Sequence, residues 1–243
     1  MTALVLLPGL DGTGRLFDAF ATEMAVQHPG LEIIVASYPV DEPLDYDALE
    51  PTVRALLPQG QPFFLLGESF SGPLAIRLAA AQPPGLQGLI LSCSFASMPG
   101  FGWLSPMLPT VPLSFLPTPL LGYLTLGRLS GSPLLDDLLE ILETVDPVVL
   151  RTRAQAAMSI DCSALLSKVQ VPLLYLQARN DHIVPESAGL LVRRLAAQTQ
   201  LQVFDAPHLL LQSLPVDAAQ AVCGFMGASP PVQAGPMAGM AAC

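Results

Sequence analysis

Four short stretches, Ala3–Leu7, Leu31–Ala36, Pro62–Leu66 and Leu86–Leu91, are apolar at nearly every position, and each is separated from the next by a segment with helical spacing. A strand with one wet face alternates polar and apolar residues. One that is apolar throughout is buried on both faces, the condition of a parallel strand flanked by crossover helices. The intervening segments supply those helices. Leu16, Phe17, Phe20 and Met24 recur every three or four residues, and Leu49, Val53, Leu56 and Leu57 do the same between Asp47 and Leu57. A third helix is expected from about Pro73 to Ala81. This β-α-β-α-β-α-β order predicts a parallel sheet with helices on both faces.

The alternation stops at Ser97. From Pro99 to Pro119, prolines are interspersed with large apolar residues such as Phe101, Trp103, Met107 and Phe115, which excludes a central strand and favours short helices and turns. Ser132-Pro133 has the form of a helix start, with Asp136 and Asp137 early in the helix and Leu134, Leu138, Ile141, Leu142 and Val145 on one face. A further helix is expected over Val148–Met158. Residues 97–160 therefore read as a helical cap inserted between two strands of one sheet. Strands resume at Val171–Gln177 and Leu201–Phe204, with a helix to about Ala197 between them and a last helix from Val216 to Met226. Residues 1–96 and 161–228 form the expected α/β core, a mostly parallel six-stranded sheet. The segment 229–243 is rich in Pro, Gly, Ala and Met without periodicity and is expected to be poorly ordered. At 243 residues, one domain with an insertion fits better than two independent domains.

Composition narrows the function. Hydrophobic residues make up 51% of the chain and charged residues 12%, against roughly 25% charged in an average globular protein, so much of the chain is buried or lines something apolar. A net charge of −10 without a Lys/Arg cluster argues against nucleic acid and against anionic membrane surfaces. The four cysteines lie far apart with no C-x-x-C spacing, so neither a zinc site nor a disulfide framework is indicated. Met1–Leu7 lacks a basic flank and runs into Pro8-Gly9, which reads as a first core strand rather than a signal peptide. No apolar run is long enough for a transmembrane helix, and the expected location is the cytoplasm.

Open parallel sheets place their chemistry at the carboxyl ends of the strands. Four loops lie there: Pro8–Gly14, Gly67–Gly72, Arg179–Val184 and Ala206–Leu209. Gly67-Glu68-Ser69-Phe70-Ser71-Gly72 reads as a sharp strand-to-helix turn that exposes the Ser69 hydroxyl, with small residues allowing close backbone approach. A serine hydroxyl is a weak nucleophile until a base takes its proton, and His208, after the last strand, is placed for that work. His28 and His182 read as structural or solvated. Asp181 is the expected acid, fixing the imidazole tautomer, although it could instead cap the following helix. Asp161 reads as a helix cap and Asp205 as a loop residue too near His208 in sequence. The backbone N–H groups of Leu10 and Phe70 are the candidate oxyanion donors. Gly9–Gly14 is not a phosphate-binding P-loop, since no Gly-Lys-Ser/Thr follows. Glu68, beside the serine, reads as a solvated or loop-bonded carboxylate, with electrostatic tuning of the site as the alternative.

These residues carry a resemblance to the α/β-hydrolase superfamily that extends to about Gly227. Gly67–Gly72 resembles its nucleophile turn, Asp181 within Arg-Asn-Asp-His-Ile-Val-Pro its acid, His208 within Ala-Pro-His its base, and Pro8-Gly9-Leu10-Asp11-Gly12 its oxyanion loop. The sequence departs from the family pattern in three places. Pro8 stands where many members have histidine, Ser71 stands where a second glycine is usual, and counterparts of the family's first two strands are not found. The resemblance implies hydrolysis or transfer of an acyl group without metal or organic cofactor. A carboxylic ester or thioester with an apolar acyl chain is the expected substrate, acyl transfer to an alcohol or carrier is the alternative, and a non-catalytic ligand-binding module is the third reading.

Overall fold

The apolar runs form one sheet in the computed structural model, which describes residues 2–98 and 117–228. The strands are β1 (Ala3–Leu7), β2 (Glu32–Val35), β3 (Phe63–Glu68), β4 (Leu86–Ser92), β5 (Leu173–Ala178) and β6 (Thr199–Phe204). They lie in the order β2-β1-β3-β4-β5-β6 and every neighbouring pair is parallel. The helices are α1 (Asp18–Gln27), α2 (Tyr46–Leu56), α3 (Gly72–Ala80), α4 (Thr118–Leu126), α5 (Pro133–Glu143), α6 (Pro147–Ser159), α7 (Glu186–Leu195), α8 (Leu210–Ser213) and α9 (Pro215–Ala228).

Side chains of a strand point alternately to its two faces, which accounts for the two core layers. Ala3, Val5 and Leu7 of β1 join α2, α3 and α7 on one side. Leu4 and Leu6 join α1, α8 and α9 on the other. A run that is apolar at every position is therefore what a strand between two helix layers requires. Full burial of one such Leu or Phe contributes about 1.5–3 kcal/mol, so a handful outweighs any local strain the loops impose.

The first crossover carries the chain from β1 to the sheet edge at β2; the third carries it from β3 the opposite way to β4. A crevice opens where the directions diverge, outside the carboxyl ends of β1 and β3. The register sets Leu7 opposite Gly67, so the loops after these strands emerge side by side.

Boundaries shift by one or two residues from the sequence reading. Leu56, expected on the buried face of α2, is exposed, and Leu57 is buried in its place because the chain leaves the helix there in an extended conformation. α4 and α8 appear where no specific element was assigned, and the helical stretch expected to begin at Asp161-Cys162-Ser163 is a 3-10 helix at Ser163–Lys168. The insertion between β4 and β5 is described from residue 117 onward, as α4, α5 and α6. The proline-rich stretch 99–116 lies outside the described residues, as does the tail 229–243. Cys93 and Cys162 are buried thiols and Cys223 is half-buried. Among the described residues no helix is long and apolar enough to cross a membrane.

Candidate active site

The turn after β3 is built by close packing. A Cβ added at Gly67 would sit 2.8 Å from both the Ala75 Cβ and the Ser71 carbonyl oxygen, and one at Gly72 would lie 1.7 Å from the Ser94 hydroxyl. Only glycine lets β3, α3 and the end of β4 approach this closely. Between the two glycines Ser69 adopts φ 47°, the left-handed region, at a cost of about 1–3 kcal/mol for a residue with a side chain. Its hydroxyl thus stands at the crevice instead of in the ladder.

The Ser69 hydroxyl lies 2.8 Å from His208 Nε2, and His208 Nδ1 lies 2.8 Å from Asp181 Oδ2. Both the His208 and the Asp181 side chains are almost fully buried. Asp181 Oδ1 accepts the N–H groups of Ile183 and Val184, each at 2.8 Å, which fixes the carboxylate in its own loop. A carboxylate only accepts, so Nδ1 carries the imidazole proton and Nε2 is free to accept the serine hydroxyl. Burial pulls the His208 pKa down, but the Asp181 charge, its hydrogen bond and the Glu68 charge together hold it above its ordinary value.

The other candidates have different occupations. Asp161 Oδ1 accepts the Ser163 N–H at 2.9 Å from one residue before the N-cap, Cys162, of the 3-10 helix, so it is engaged at the helix start but is not the cap residue expected. Asp205 Oδ1 accepts Asn180 Nδ2 at 2.7 Å. His182 is exposed and stacks on Tyr123 of α4 with ring centroids 4.5 Å apart, and His28 caps the end of α1. Glu68 corrects its expected role as a solvated or loop-bonded group: it is buried, and its Oε1 accepts Gln212 Nε2 of α8 at 2.9 Å. Burial pushes its pKa up to about 7, with the Asp11 charge adding to the rise while Gln212 and His208 oppose it.

Across the crevice, every carbonyl from Pro8 to Gly12 has a donor. Ser71 Oγ donates to Pro8 O, and Gly12 N–H donates to Gly9 O at 3.1 Å, closing a tight turn. Arg153 Nη1 donates to Leu10 O at 3.0 Å and to Asp11 O at 2.7 Å. Tyr38 N–H donates to Gly12 O at 2.7 Å. In a trans peptide the C=O and the next N–H point in opposite directions, so anchoring Gly9 O on the inside of the turn aims the Leu10 N–H outward. The same holds after β3, where Ser94 Oγ donates to Ser69 O at 2.5 Å and the Phe70 N–H points the other way. Phe70 itself is wedged by Tyr46, stacked at 4.7 Å, and by Tyr38, edge-on at 6.3 Å.

Ser71, the residue in place of the usual second glycine, thus has a task glycine could not perform. With its proton on Pro8 O, it accepts the Tyr38 hydroxyl at 2.6 Å and ties the nucleophile turn to the neighbouring loop. Arg153 is the residue sequence reasoning missed. The available signal was its position on α6: it follows Val149 by four residues and precedes Ala156 by three, a charged residue on the apolar stripe.

The chain was compared with known proteins. A family model described as serine aminopeptidase, S33, matches residues 45–211. Human monoglyceride lipase is 28% identical over 168 residues, covering 64% of this chain and 54% of that protein. The chain thus spans about half the length of the curated relatives it matches. An esterase from Exiguobacterium antarcticum superposes with a TM-score of 0.83 at 16% identity, covering 94% of this chain and 92% of that one. The enol-lactonase from Burkholderia xenovorans LB400 does so with a TM-score of 0.80 at 14% identity, covering 93% and 91%. At those identities the structural likeness concerns the fold.

Proposed function

The chain belongs to the α/β-hydrolase family described as serine aminopeptidase, S33, and from that premise we propose that it is a serine hydrolase acting on carboxylic esters or thioesters with an apolar acyl chain. The observation that carries the reading is the continuous hydrogen-bonded line from Ser69 through His208 to Asp181, 2.8 Å at each step, at the switch point of the sheet. Ser69 Oγ attacks the acyl carbonyl while His208 Nε2 takes its proton, and Asp181 holds the resulting imidazolium. The carbonyl oxygen becomes an oxyanion received by the Leu10 and Phe70 N–H groups. As the tetrahedral intermediate collapses, the leaving alcohol or thiol takes the proton from His208 and the acyl group remains on Ser69. Water, activated by the same histidine, then releases the acid.

The apolar acyl preference is supported by what packs over the carboxyl ends of the strands. Leu126 of α4 and Leu138 of α5 cluster with Leu209, next to the base. Val145, Val149 and Leu150 pack with Leu10, on the opposite wall. In this reading the described part of the insertion, residues 117–160, acts as a cap whose apolar underside faces the acyl chain. The relation to monoglyceride lipase makes a monoacylglycerol a natural member of the test set.

A panel of p-nitrophenyl esters from acetyl to dodecanoyl, together with a monoacylglycerol, tests the proposal. Turnover that improves from acetyl to a medium chain is expected; folded protein inert towards every member would refute it. Competing alcohols in the same assay separate hydrolysis from acyl transfer, because a transferase would convert them into new esters.

A further inference from the structure

Arg153 is fully buried, and its guanidinium spans two loops. Besides the carbonyls of Leu10 and Asp11 it donates to Pro39 O at 2.8 Å, and it lies over the Tyr38 ring at 5.5 Å from the centroid. Among the described residues it forms no ion pair, and its buried Nε has no hydrogen-bond partner. A buried charge without a paired carboxylate and with an unsatisfied N–H is a poor device for stability, since an apolar side chain of similar volume would avoid both costs. What an apolar side chain cannot do is hold three carbonyls in a fixed plane, which is the particular competence of the guanidinium fork. The facing loop is fitted to it: a Cβ at Gly12 would come within 2.4 Å of Nη1.

We infer that Arg153 is a positioning residue for the oxyanion site, fixing the loop after β1 from the inserted segment α6 so that the Leu10 N–H is held towards the substrate carbonyl. The inference rests on the serine-hydrolase reading and adds a role for the insertion. By drawing the carbonyls of Leu10 and Asp11 to one rigid group, Arg153 fixes the two peptides that follow the donor, the frame against which the Gly9–Leu10 peptide, held by Gly12 N–H on Gly9 O, presents its N–H. Ser71 holds the start of the same loop and Tyr38 its end, so Arg153 controls the middle, directly after the donor peptide. The transition state gains a donor already aimed, and the ground-state substrate gains little, so loss of Arg153 should appear in kcat more than in KM.

The test is steady-state kinetics of Arg153→Lys and Arg153→Met on the best p-nitrophenyl ester, with inhibition by a trifluoromethyl ketone that forms a tetrahedral oxyanion on a reactive serine. A misaimed donor is expected to lower kcat about 10–100-fold, with Arg153→Lys the milder. KM should move little, and affinity for the ketone should fall by the same factor as kcat/KM. The pKa governing the rising limb of the pH profile should stay unchanged, because His208 is not touched. A variant that melts earlier but keeps wild-type kcat and ketone affinity would make Arg153 a packing residue and overturn the inference. If Arg153→Met fails to fold, Arg153→Lys decides, and failure of both to fold counts as the structural outcome. Wild-type protein inert to every ester would remove the serine-hydrolase reading itself, a result distinct from active wild type with an equally active Arg153→Lys.

Discussion

The two walls of the crevice are built on opposite principles. On the proposed base wall, Ser69, His208 and Asp181 would act through side chains, each brought by a different strand end and joined to the next by one hydrogen bond. On the proposed oxyanion wall the reacting groups would be the backbone N–H groups of Leu10 and Phe70, whose side chains pack. Specificity of position there comes from what holds the carbonyls: Ser71, Arg153 and Ser94. A side-chain wall fails at once when one member is removed. A backbone wall degrades by degrees, because several anchors share one loop.

The sharpest test of this contrast is Ser69→Ala, which should leave the fold intact and lower kcat by about 10⁴-fold or more. The substitution also relieves no strain at φ 47°, so little change in melting temperature is expected. Asp181→Asn should cost about 10⁴-fold through the wrong imidazole tautomer, while Asp161→Asn, at a helix start, should leave kcat near wild type. A larger loss in the Asp161 variant would break the base wall as described. On the other wall, Ser71→Ala removes the tie between Pro8 O and the Tyr38 hydroxyl, and both groups are buried. It should lower stability by about 1–3 kcal/mol in urea titration and kcat by less than tenfold. A loss as large as that of Ser69→Ala would mean that the two walls do not differ in kind.

Glu68 links the walls through charge, and its effect on activity is the smallest. Its folded pKa of about 7 lies above an unfolded value near 4.5, so the native state binds the proton more tightly. Stability therefore falls as pH rises from about 4.5 to 7, by about 3 kcal/mol for this group. His208, also raised, adds the same sign: its contribution is full below about 6.5 and is lost as pH rises through the folded value. Activity runs the other way, since the base must be neutral, and kcat/KM should rise through a pKa above about 6.5. Glu68→Gln should flatten the fall in stability and move the activity limb to lower pH, because the charge that helps hold His208 up is gone. An unchanged limb would show that Glu68 does not act on the base.

The same contrast explains what was legible in the sequence. Apolar runs and turn glycines encode the sheet, and Ser69, Asp181 and His208 announce their chemistry by residue type at strand ends. Leu10 and Phe70 are proposed by position alone. Arg153 lies 114 to 143 residues from the carbonyls it binds, and only the folded chain brings them together. The roles of Ser71 and Tyr38 were hidden for the same reason, and the burial of Glu68 depends on α8, a helix too short to show periodicity.

The central claim is that Ser69 is the nucleophile activated by His208. Labelling with a fluorophosphonate, followed by tryptic fragmentation, tests it directly. The peptide 55–77 contains both Ser69 and Ser71, so fragment ions must separate the two. A single adduct on Ser69, formed at least about 10³-fold more slowly in His208→Gln, is the expected result. An adduct on Ser71 or elsewhere, or a rate indifferent to His208, would contradict the account.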